Sequence, residues 1–251
     1  MSLLRTENLK KHFGDTRAVD GVDLIISERE FVSLVGANGA GKTTLVNLIS
    51  AYLQPDSGHI FFQDHDITFL PVADRIKAGI ARSFQLVNLF DDLSAFDNVA
   101  LAIFAREGKT HNLFALADRD GDVAQETLEV LQQFGLESKR NTLGGELAQG
   151  ERKLLDVAVA YALRPKLLFL DEPTSGVSTR DKAQIMETVS SVVRAGKITA
   201  VIIEHDMDVV FQYSDRIVVM HEGSILADGP PEEIRQNSEV ATILLGTPAA
   251  N

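Results

Sequence analysis

The sequence predicts an α/β fold with a mainly parallel sheet, a small antiparallel β subdomain and an inserted helical lobe. Three observations lead to this expectation. Short, near-continuous apolar runs recur in both halves of the chain, as in strands buried on both faces of a parallel sheet. The first segment instead alternates polar and apolar residues, which is typical of antiparallel strands. From about residue 94 to residue 164 the apolar spacing becomes helical, and this stretch interrupts the strand pattern.

The antiparallel subdomain is predicted near the start of the chain. The first strand is expected to turn at Phe13-Gly14-Asp15. Residues 22–26 and 58–62 supply two further extended segments, the second of which ends before Asp64-His65. We therefore expect these segments to pair as a small sheet beside the first parallel strand.

A glycine-rich loop between a strand and a helix is the most informative motif. Residues 31–35 predict a buried strand, and residues 45–49 predict the first turns of a helix. The pattern G-x-x-x-x-G-K-[ST] lies between them, and with the following threonine it comprises Gly36, Ala37, Asn38, Gly39, Ala40, Gly41, Lys42, Thr43 and Thr44. Such a loop points backbone N–H groups at a phosphate, and the helix N-terminus adds partial positive charge. The motif predicts a P-loop NTPase core.

Two residues of this loop have expected chemical roles. Lys42 should reach the β- and γ-phosphates of a nucleoside triphosphate. The Thr43 hydroxyl should help to hold Mg²⁺. The sequence therefore predicts that the chain binds a nucleoside triphosphate with magnesium.

The helical stretch begins with a recognisable cap. Ser94 is a good N-cap for a helix from Ala95 onward, and Asp97 lies in its first turn. Residues 122–134 carry apolar side chains at helical spacing, whereas residues 108–121 are polar and predict a mobile loop. This stretch is the basis for the inserted lobe.

Strands return after the lobe, and polar side chains follow two of them. The strand predicted at residues 167–170 ends in Asp171, expected to hold Mg²⁺, and Glu172, expected to polarise the attacking water. The strand at residues 199–203 leads to His205, a candidate γ-phosphate sensor. Ligands of open α/β sheets lie at these carboxyl ends, so the residues are expected to act on one nucleotide.

Two more features complete the predicted framework. Gln85, just before the helical stretch, carries an amide that can touch both Mg²⁺ or its water and a moving lobe. A strand at residues 216–220 is followed by Glu222-Gly223, which fits a tight hairpin turn into residues 224–226. The tail from residue 246 to residue 251 is expected to fray.

Composition limits the classes of function. At 251 residues the chain can bury a full core, and its apolar runs are too short to span a bilayer. The absence of cysteine excludes disulfides and thiolate metal sites. A net charge of −12 argues against broad nucleic-acid binding and against electrostatic docking on anionic lipid. We expect a cytosolic protein that a protein partner holds at any membrane where it works.

Taken together and in this order, the motifs resemble those of the ATP-binding cassette (ABC) family over nearly the whole chain. The resemblance makes residues 36–44 the Walker A loop, Gln85 the Q-loop glutamine, and residues 168–172 Walker B. His205 becomes the switch histidine, and Phe13 occupies the position where an aromatic ring stacks on adenine. ATP and Mg²⁺ are the implied cofactors, and ATP hydrolysis is the implied reaction.

The resemblance also implies an organisation. It makes residues 1–251 a single nucleotide-binding domain, with residues 1–85 and 165–251 as the nucleotide-binding core and residues 86–164 as a helical signature subdomain. Segments at residues 174–178, 204–207 and 231–234 look like the branched-chain amino acid uptake group. Urea and amide uptake ATPases are similar, and lipopolysaccharide-export ATPases share some features.

The signature segment departs from the family pattern. The usual Leu-Ser-Gly-Gly-Gln is here Leu147-Ala148-Gln149-Gly150-Glu151. Ala148 lacks a hydroxyl for the γ-phosphate, Gln149 replaces a glycine, and Glu151 puts an extra negative charge near a triphosphate. Ser178 stands where an aspartate is usual. Gly150 is kept, and its N–H at the start of a helix predicted over residues 151–163 could still bind phosphate.

The family pattern implies partners. The signature segment of one chain completes the ATP site of a second ATPase subunit, head to tail. Gln85 then transmits closure to the lobe, which docks on a membrane permease subunit, and a periplasmic or extracellular solute-binding protein delivers the solute. Residues 148–151 are thus nucleotide-binding residues of the partner's site, and the chain is expected at the inner face of the cell membrane.

Two other functions remain open on the sequence alone. One is a soluble cassette ATPase of DNA repair or translation, against which the acidic charge and the absence of cysteine argue. The other is a nucleotide-binding subunit that does not hydrolyse, for which the unusual signature is the only support. A GTPase is disfavoured because no Asn-Lys-x-Asp guanine-reading motif is present. The transported solute leaves no trace in this sequence.

Overall fold

The computed structural model describes residues 2–83, 89–108 and 121–245. The chain divides into two compact units, Met1–Ala78 with Thr199–Asn251 and Gly79–Ile198. The helical subdomain predicted for residues 86–164 falls inside the sequence range of the second unit, which also includes two strands and a further helix. Gln85, most of the polar loop predicted at residues 108–121 and the predicted frayed tail lie outside the described residues.

Strands and helices are interspersed along the described chain, as in an α/β fold. The strands are β1 (Ser2–Phe13), β2 (Thr16–Ser27), β3 (Phe31–Val35), β4 (Ser57–Phe62), β5 (His65–Asp66), β6 (Ile80–Arg82), β7 (Leu167–Asp171), β8 (Thr199–Ile203), β9 (Arg216–His221) and β10 (Ser224–Gly229). The helices are α1 (Lys42–Ile49), α2 (Val72–Ala78), α3 (Ala95–Arg106), α4 (Gly121–Gln133), α5 (Gln149–Ala162), α6 (Thr179–Ala195), α7 (Met207–Tyr213), α8 (Pro231–Gln236) and α9 (Ser238–Leu245).

The first unit contains the predicted antiparallel sheet. β1 and β2 pair as far as Phe13 and Thr16, so the chain reverses at the predicted turn. The strand order is β2-β1-β4-β5, and each of these pairs is antiparallel. β2 is longer than the predicted segment at residues 22–26, because its first half continues the pairing with β1.

Parallel strands form the second sheet region of the first unit. β3 pairs in parallel with both β8 and β9, and all residues of β3 and β8 are buried. β10 then runs antiparallel to β9. The predicted turn joins them, with φ of 46° at Glu222 and 80° at Gly223, the two left-handed residues that a tight hairpin needs. The prediction of a mainly parallel, covered sheet is confirmed.

The second unit combines two parallel strands with helices. β6 pairs with β7 from Ile80 opposite Leu167 to Arg82 opposite Phe169. α3 begins where predicted, and the Ser94 hydroxyl accepts a hydrogen bond from the Asp97 N–H at 3.0 Å. α4 lies within one residue of the prediction. No helix in the described ranges is both long and apolar enough to cross a bilayer.

The start of α5 corrects one expectation. The helix predicted from Glu151 begins two residues earlier, at Gln149, with Ala148 as its N-cap. The Ala148 N–H donates to Glu151 Oε2 at 2.9 Å, which satisfies one of the backbone donors that a helix start leaves open. Gly150 therefore lies in the first turn of the helix rather than before it.

Candidate functional site

The glycine-rich loop, residues 36–44, joins buried β3 to α1 in the first unit. Gly36 and Gly41 have φ of 153° and 101°. A Cβ atom would overlap the carbonyl oxygen of Met220 at Gly36 and that of Ala18 at Gly41. Only glycine fits these two positions, so the first unit itself dictates the tight curl of the loop.

Within this loop, buried and exposed residues are separated. Ala37, Asn38 and Gly39 are exposed at the tip, whereas Ala40 is buried. The Lys42 side chain is also buried, and its ammonium donates to Gly36 O at 2.7 Å and Ala37 O at 3.0 Å. A fixed cation thus lies at the start of a loop whose tip faces solvent, as a phosphate site requires.

The two threonines of the loop differ in accessibility. Thr43 is exposed and Thr44 is half-buried, both in the first turn of α1. An exposed hydroxyl at a helix N-terminus can donate to a phosphate or contribute an oxygen to a cation. The geometry of the first unit therefore permits the expected role of Thr43.

His205 lies close to the phosphate loop. A cavity of about 210 Å³ in the first unit is lined by both segments. Its lining residues are Val35, Gly36, Ala37, Asn38, Glu204, His205, Met207 and Ile243. The His205 side chain is exposed, whereas Glu204 is buried and accepts from the His205 N–H at 3.2 Å. The structure thus brings the predicted sensor to the predicted phosphate site.

Phe13 ends β1 and is 49% exposed. The Lys11 ammonium lies 5.7 Å from the ring centroid, near the limit of a cation–π contact. The Lys11 ammonium also donates to Asp56 Oδ1 at 2.8 Å, which anchors that side chain. A half-exposed aromatic ring is available for stacking against a planar ligand.

Arg75 on α2 is a residue whose role the sequence did not reveal. Its side chain is fully buried and donates to carbonyl oxygens in the last turn of α1 and in the segment before α2. The acceptors are Leu48 and Ile49 for Nη1, Ile67 and Thr68 for Nη2, and Leu70 for Nε, at 2.6 to 3.0 Å. Burial lowers the pKa of Arg75 to about 10, so the guanidinium stays charged at neutral pH.

In the second unit, Asp171 ends β7 with its side chain 3% exposed. The Arg82 guanidinium, on β6, donates to Asp171 Oδ2 at 2.6 Å. The parallel register of β6 and β7 explains this pair, since Arg82 stands opposite Phe169, two residues before the carboxylate. A buried cation therefore orients the carboxylate that is predicted to hold Mg²⁺, and no sequence pattern indicates this pair.

Glu172 follows in a strained backbone conformation, with φ of 48°. Its carbonyl oxygen accepts from the Ser175 N–H at 3.0 Å, which closes a turn. The same oxygen accepts from the Lys153 ammonium, on α5, at 3.2 Å. The half-buried Glu172 side chain therefore projects from a turn that two hydrogen bonds to its carbonyl oxygen stabilise.

The charge of Glu151 is offset by a neighbour. Glu151 Oε1 lies 3.1 Å from the Lys139 ammonium, while Oε2 accepts from the Ala148 N–H. The carboxylate thus belongs to a local cap and ion pair of the signature segment. This arrangement reduces the negative charge that the sequence alone would place beside a triphosphate.

Magnesium fits the donor set found here. No group of three or more His, Cys, Asp or Glu side chains suited to a metal occurs among the described residues. Mg²⁺ does not need such a cage, because it uses one or two protein oxygens together with phosphates and water. Asp171 and Thr43 supply oxygens of this kind, each within its own unit.

The comparison with protein families decides the identity of the chain. The model of the ABC transporter family matches residues 19–175, more than half of the sequence. The chain belongs to the ABC transporter family. Its described fold is that of an ABC cassette, and it is an ATP-binding ATPase subunit.

Curated relatives of this ABC protein match it end to end. The high-affinity branched-chain amino acid transport ATP-binding protein BraF of Pseudomonas aeruginosa is 34% identical over 97% of this chain and 98% of its own length. The LivG protein of Salmonella typhimurium, with the same descriptive name, is 33% identical over 97% and 98%. The resemblance to a branched-chain amino acid uptake group is thereby confirmed.

Solved structures agree with this assignment. An ATP-binding cassette in its ADP conformation is 30% identical to this ABC chain, with a TM-score of 0.85, over 98% of this chain and 100% of the other. A dimeric cassette in a post-hydrolysis state, bound to ADP and Pi, is 25% identical with a TM-score of 0.77, over 91% and 98%. The predicted P-loop NTPase fold is confirmed.

Proposed function

We propose that this ATPase powers the uptake of branched-chain or other hydrophobic amino acids, or of a related amide or urea, through separate membrane permease subunits. The observation that carries the proposal is the end-to-end match to branched-chain amino acid transport ATP-binding proteins. The Walker A, Walker B and switch-histidine positions are all present in this chain. They supply the chemistry that such a subunit needs.

The phosphate loop binds ATP in this proposal. Its N–H groups and Lys42 bind the β- and γ-phosphates, and Phe13 stacks on the adenine. The exposed loop tip and the buried ammonium support this role. Bound Mg²⁺ neutralises developing phosphate charge, and Thr43, Asp171 and Gln85 would hold it.

Glu172 is the proposed general base. Its carboxylate orients and deprotonates the water that attacks the γ-phosphorus, while His205 and Gln85 contact the γ-phosphate region. Two hydrogen bonds to the Glu172 carbonyl support the role, because they fix the backbone from which this side chain leaves. The cavity shared by His205 and the phosphate loop supports the sensor role.

A second ATPase subunit completes the site in this proposal. Ala148, Gln149, Gly150 and Glu151 of one chain cover the ATP bound to the phosphate loop of the other. The cassette whose dimeric ADP and Pi state is known supports such pairing. Permease subunits then hold the pair at the cytoplasmic face of the membrane, and a solute-binding protein presents the solute from outside.

Uptake in cells of the source organism tests the proposal. Cells that lack this chain should take up radiolabelled leucine, isoleucine and valine more slowly, and the wild-type chain should restore the rate. Glu172→Gln should not restore it, whereas Glu187→Gln, an exposed glutamate of α6, should. Loss of urea or amide uptake alone would favour the related-substrate alternative. Unchanged uptake of all these solutes would refute the proposal.

A further inference from the structure

Lys153 is a buried lysine on the fifth residue of α5, the helix that starts in the signature segment. Its residue exposure is 4%, and its ammonium donates to Glu172 O at 3.2 Å and to Ser175 Oγ at 3.0 Å. Burying an ammonium is unfavourable unless hydrogen bonds compensate for the lost hydration. Its neighbours Leu154 and Leu155 are buried and apolar. An apolar side chain could therefore also fill the position of Lys153, and packing alone does not explain a cation there.

The acceptor of this lysine is the turn that carries the proposed base. A left-handed φ is an unfavourable conformation for a non-glycine residue, so surrounding contacts must stabilise it. At Glu172 those contacts include the Ser175 N–H and the Lys153 ammonium, which meet on one carbonyl oxygen. The direction of the Glu172 side chain is set by this backbone, because the Cα–Cβ bond turns with φ and ψ.

A second contact joins the same helix to the same loop. Gln149 lies four residues before Lys153, so the two side chains share one face of α5. A Cβ atom added at Gly176 would lie only 2.8 Å from Gln149 Nε2, which shows that this amide packs against the loop. Gly176 has φ of 77°, so the loop is left-handed here as well. Two polar residues of α5, Gln149 and Lys153, thus contact the loop that follows β7.

We propose that Lys153 is a positioning residue that fixes the Glu172 turn, and through it the Glu172 carboxylate, relative to α5. This inference rests on the proposed function, since it gives Glu172 the role of base. A shift of α5 within the second unit would then move the carboxylate, so the helix that covers the partner's ATP also orients the base of its own chain. The unusual Gln149 contributes to the same link.

Two substitutions separate positioning from simple filling of space. Lys153→Met keeps the length of the side chain and removes the donor, whereas Lys153→Arg keeps a donor. For Lys153→Met we expect kcat to fall at least about tenfold with little change in the KM for ATP. Lys153→Arg should recover part of the loss. Lys197→Met, at an exposed lysine of the same unit, should leave kcat unchanged.

A double-mutant cycle distinguishes positioning of the Glu172 carboxylate from a purely structural role of Lys153. If Lys153 acts through the Glu172 carboxylate, Lys153→Met should lower the residual phosphate release of Glu172→Gln by less than about twofold. An equal loss in both backgrounds, a rise in KM with unchanged kcat, or full activity of Lys153→Met would overturn the inference. ATP binding, followed with a fluorescent ATP analogue, should be unchanged in Lys153→Met.

Two further arms keep the test decisive. If Lys153→Met does not fold, Lys153→Arg and Ser175→Ala decide. Lys153→Arg keeps a donor at this position, and Ser175→Ala removes one of the two acceptors of the Lys153 ammonium but keeps Glu172 O. Each variant should therefore lower kcat by a smaller factor. Unchanged kcat in both would overturn the inference. If the wild-type chain hydrolyses ATP and Glu172→Gln does not, while Lys153→Met stays fully active, only this inference fails. If the wild-type chain shows no turnover with its membrane partners, the proposed function fails first.

Discussion

Arg75 supplies hydrogen bonds that the last turn of α1 cannot make within the helix. The last carbonyl groups of a helix lack intrahelical donors, and they carry partial negative charge. The Arg75 guanidinium meets two of them, Leu48 O and Ile49 O, at 2.6 Å each. A cation at the C-terminus of α1 thus secures the helix whose N-terminus forms part of the phosphate loop.

Replacing Arg75 should therefore destabilise the protein. Arg75→Met removes the guanidinium from all five carbonyl groups, of which Leu48 O and Ile67 O keep one backbone donor each. We expect a loss of about 3–5 kcal/mol in the free energy of unfolding. The midpoint of urea unfolding measures it. Lys77→Met, on the same helix but with a side chain 79% exposed, should change the free energy by less than about 0.5 kcal/mol. Similar midpoints for the two variants would contradict the capping role.

These residue roles could not be predicted from the sequence. Arg82 and Lys153 contact acceptors 89 and 19 residues away, and Arg75 reaches back 27 residues to Leu48. A lone Arg or Lys in an amphipathic segment has the same local pattern whether it is solvated or buried. By contrast, the roles expected for Lys42 and Asp171 depend on motifs in which the spacing itself carries the chemistry.

At the scale of elements, Glu126 on α4, through its partner Arg106, joins three helices of the second unit. Arg106, on α3, donates to both of its carboxylate oxygens, at 2.6 and 2.7 Å. Arg106 also donates to Ala162 O, at the end of α5, at 2.8 Å, and Arg164 donates to Glu126 Oε1 at 3.0 Å. The hydrogen bond from Arg106, aided by Arg164, lowers the pKa of the Glu126 carboxyl below its usual value.

This shift predicts how stability depends on pH. The folded state binds the Glu126 proton less tightly than the unfolded state, so the contribution of Glu126 is complete above the unfolded pKa and is lost as pH falls through the folded pKa. Glu126→Gln should lower the free energy of unfolding by about 1–2 kcal/mol at pH 7. The difference from wild type should start to shrink as pH falls below the usual glutamate pKa of 4.5.

Urea unfolding at a series of pH values measures this difference. Glu129→Gln, an exposed glutamate on the same helix, is the matched control and should follow wild type throughout. A destabilisation of Glu126→Gln that stays constant down to pH values below the folded pKa would show that the ion pairs contribute nothing.

The elements themselves were largely predictable from sequence. Turn residues and apolar periodicity are local, so the Glu222-Gly223 hairpin, buried β3 and the Ser94 cap follow from neighbouring residues. The start of α5 was predicted two residues late because Gly150 is a poor helix former. The signal that would have corrected it was present, since a glutamate three residues after a helix start often bonds the cap N–H, as Glu151 does.

At the scale of the whole molecule, Gly150 is a glycine that contacts within the single chain do not explain among the described residues. Among the described residues, a Cβ atom at Gly150 would meet only Ile185 Cδ1, at an ordinary 3.6 Å, so none of them requires glycine here. Alanine in a helix is more stable than glycine by about 0.5–1 kcal/mol. A glycine in the first turn of α5 therefore lowers the stability of the single chain. Close approach of a ligand or partner to this turn would account for it.

Gly150→Ala should separate stability from function. We expect an unchanged or higher melting temperature, and normal binding of ATP to the phosphate loop. ATP-dependent association and turnover should both fall at least about tenfold, because in the proposed shared site a methyl group would stand where the phosphate bound by the second subunit approaches. Thermal unfolding, light scattering and phosphate release measure these quantities. A variant that is more stable and fully active would contradict the role of the signature segment in a shared site.

The most direct test of the account is the behaviour of Glu172→Gln with ATP and Mg²⁺. This substitution removes the proposed base while keeping the size and shape of the side chain. We predict that phosphate release nearly vanishes and that the variant forms an ATP-dependent dimer, seen as a doubled mass by light scattering, while wild type with ADP stays monomeric. Unaffected turnover in Glu172→Gln, or the absence of any dimer with ATP, would contradict a hydrolytic site shared between two subunits.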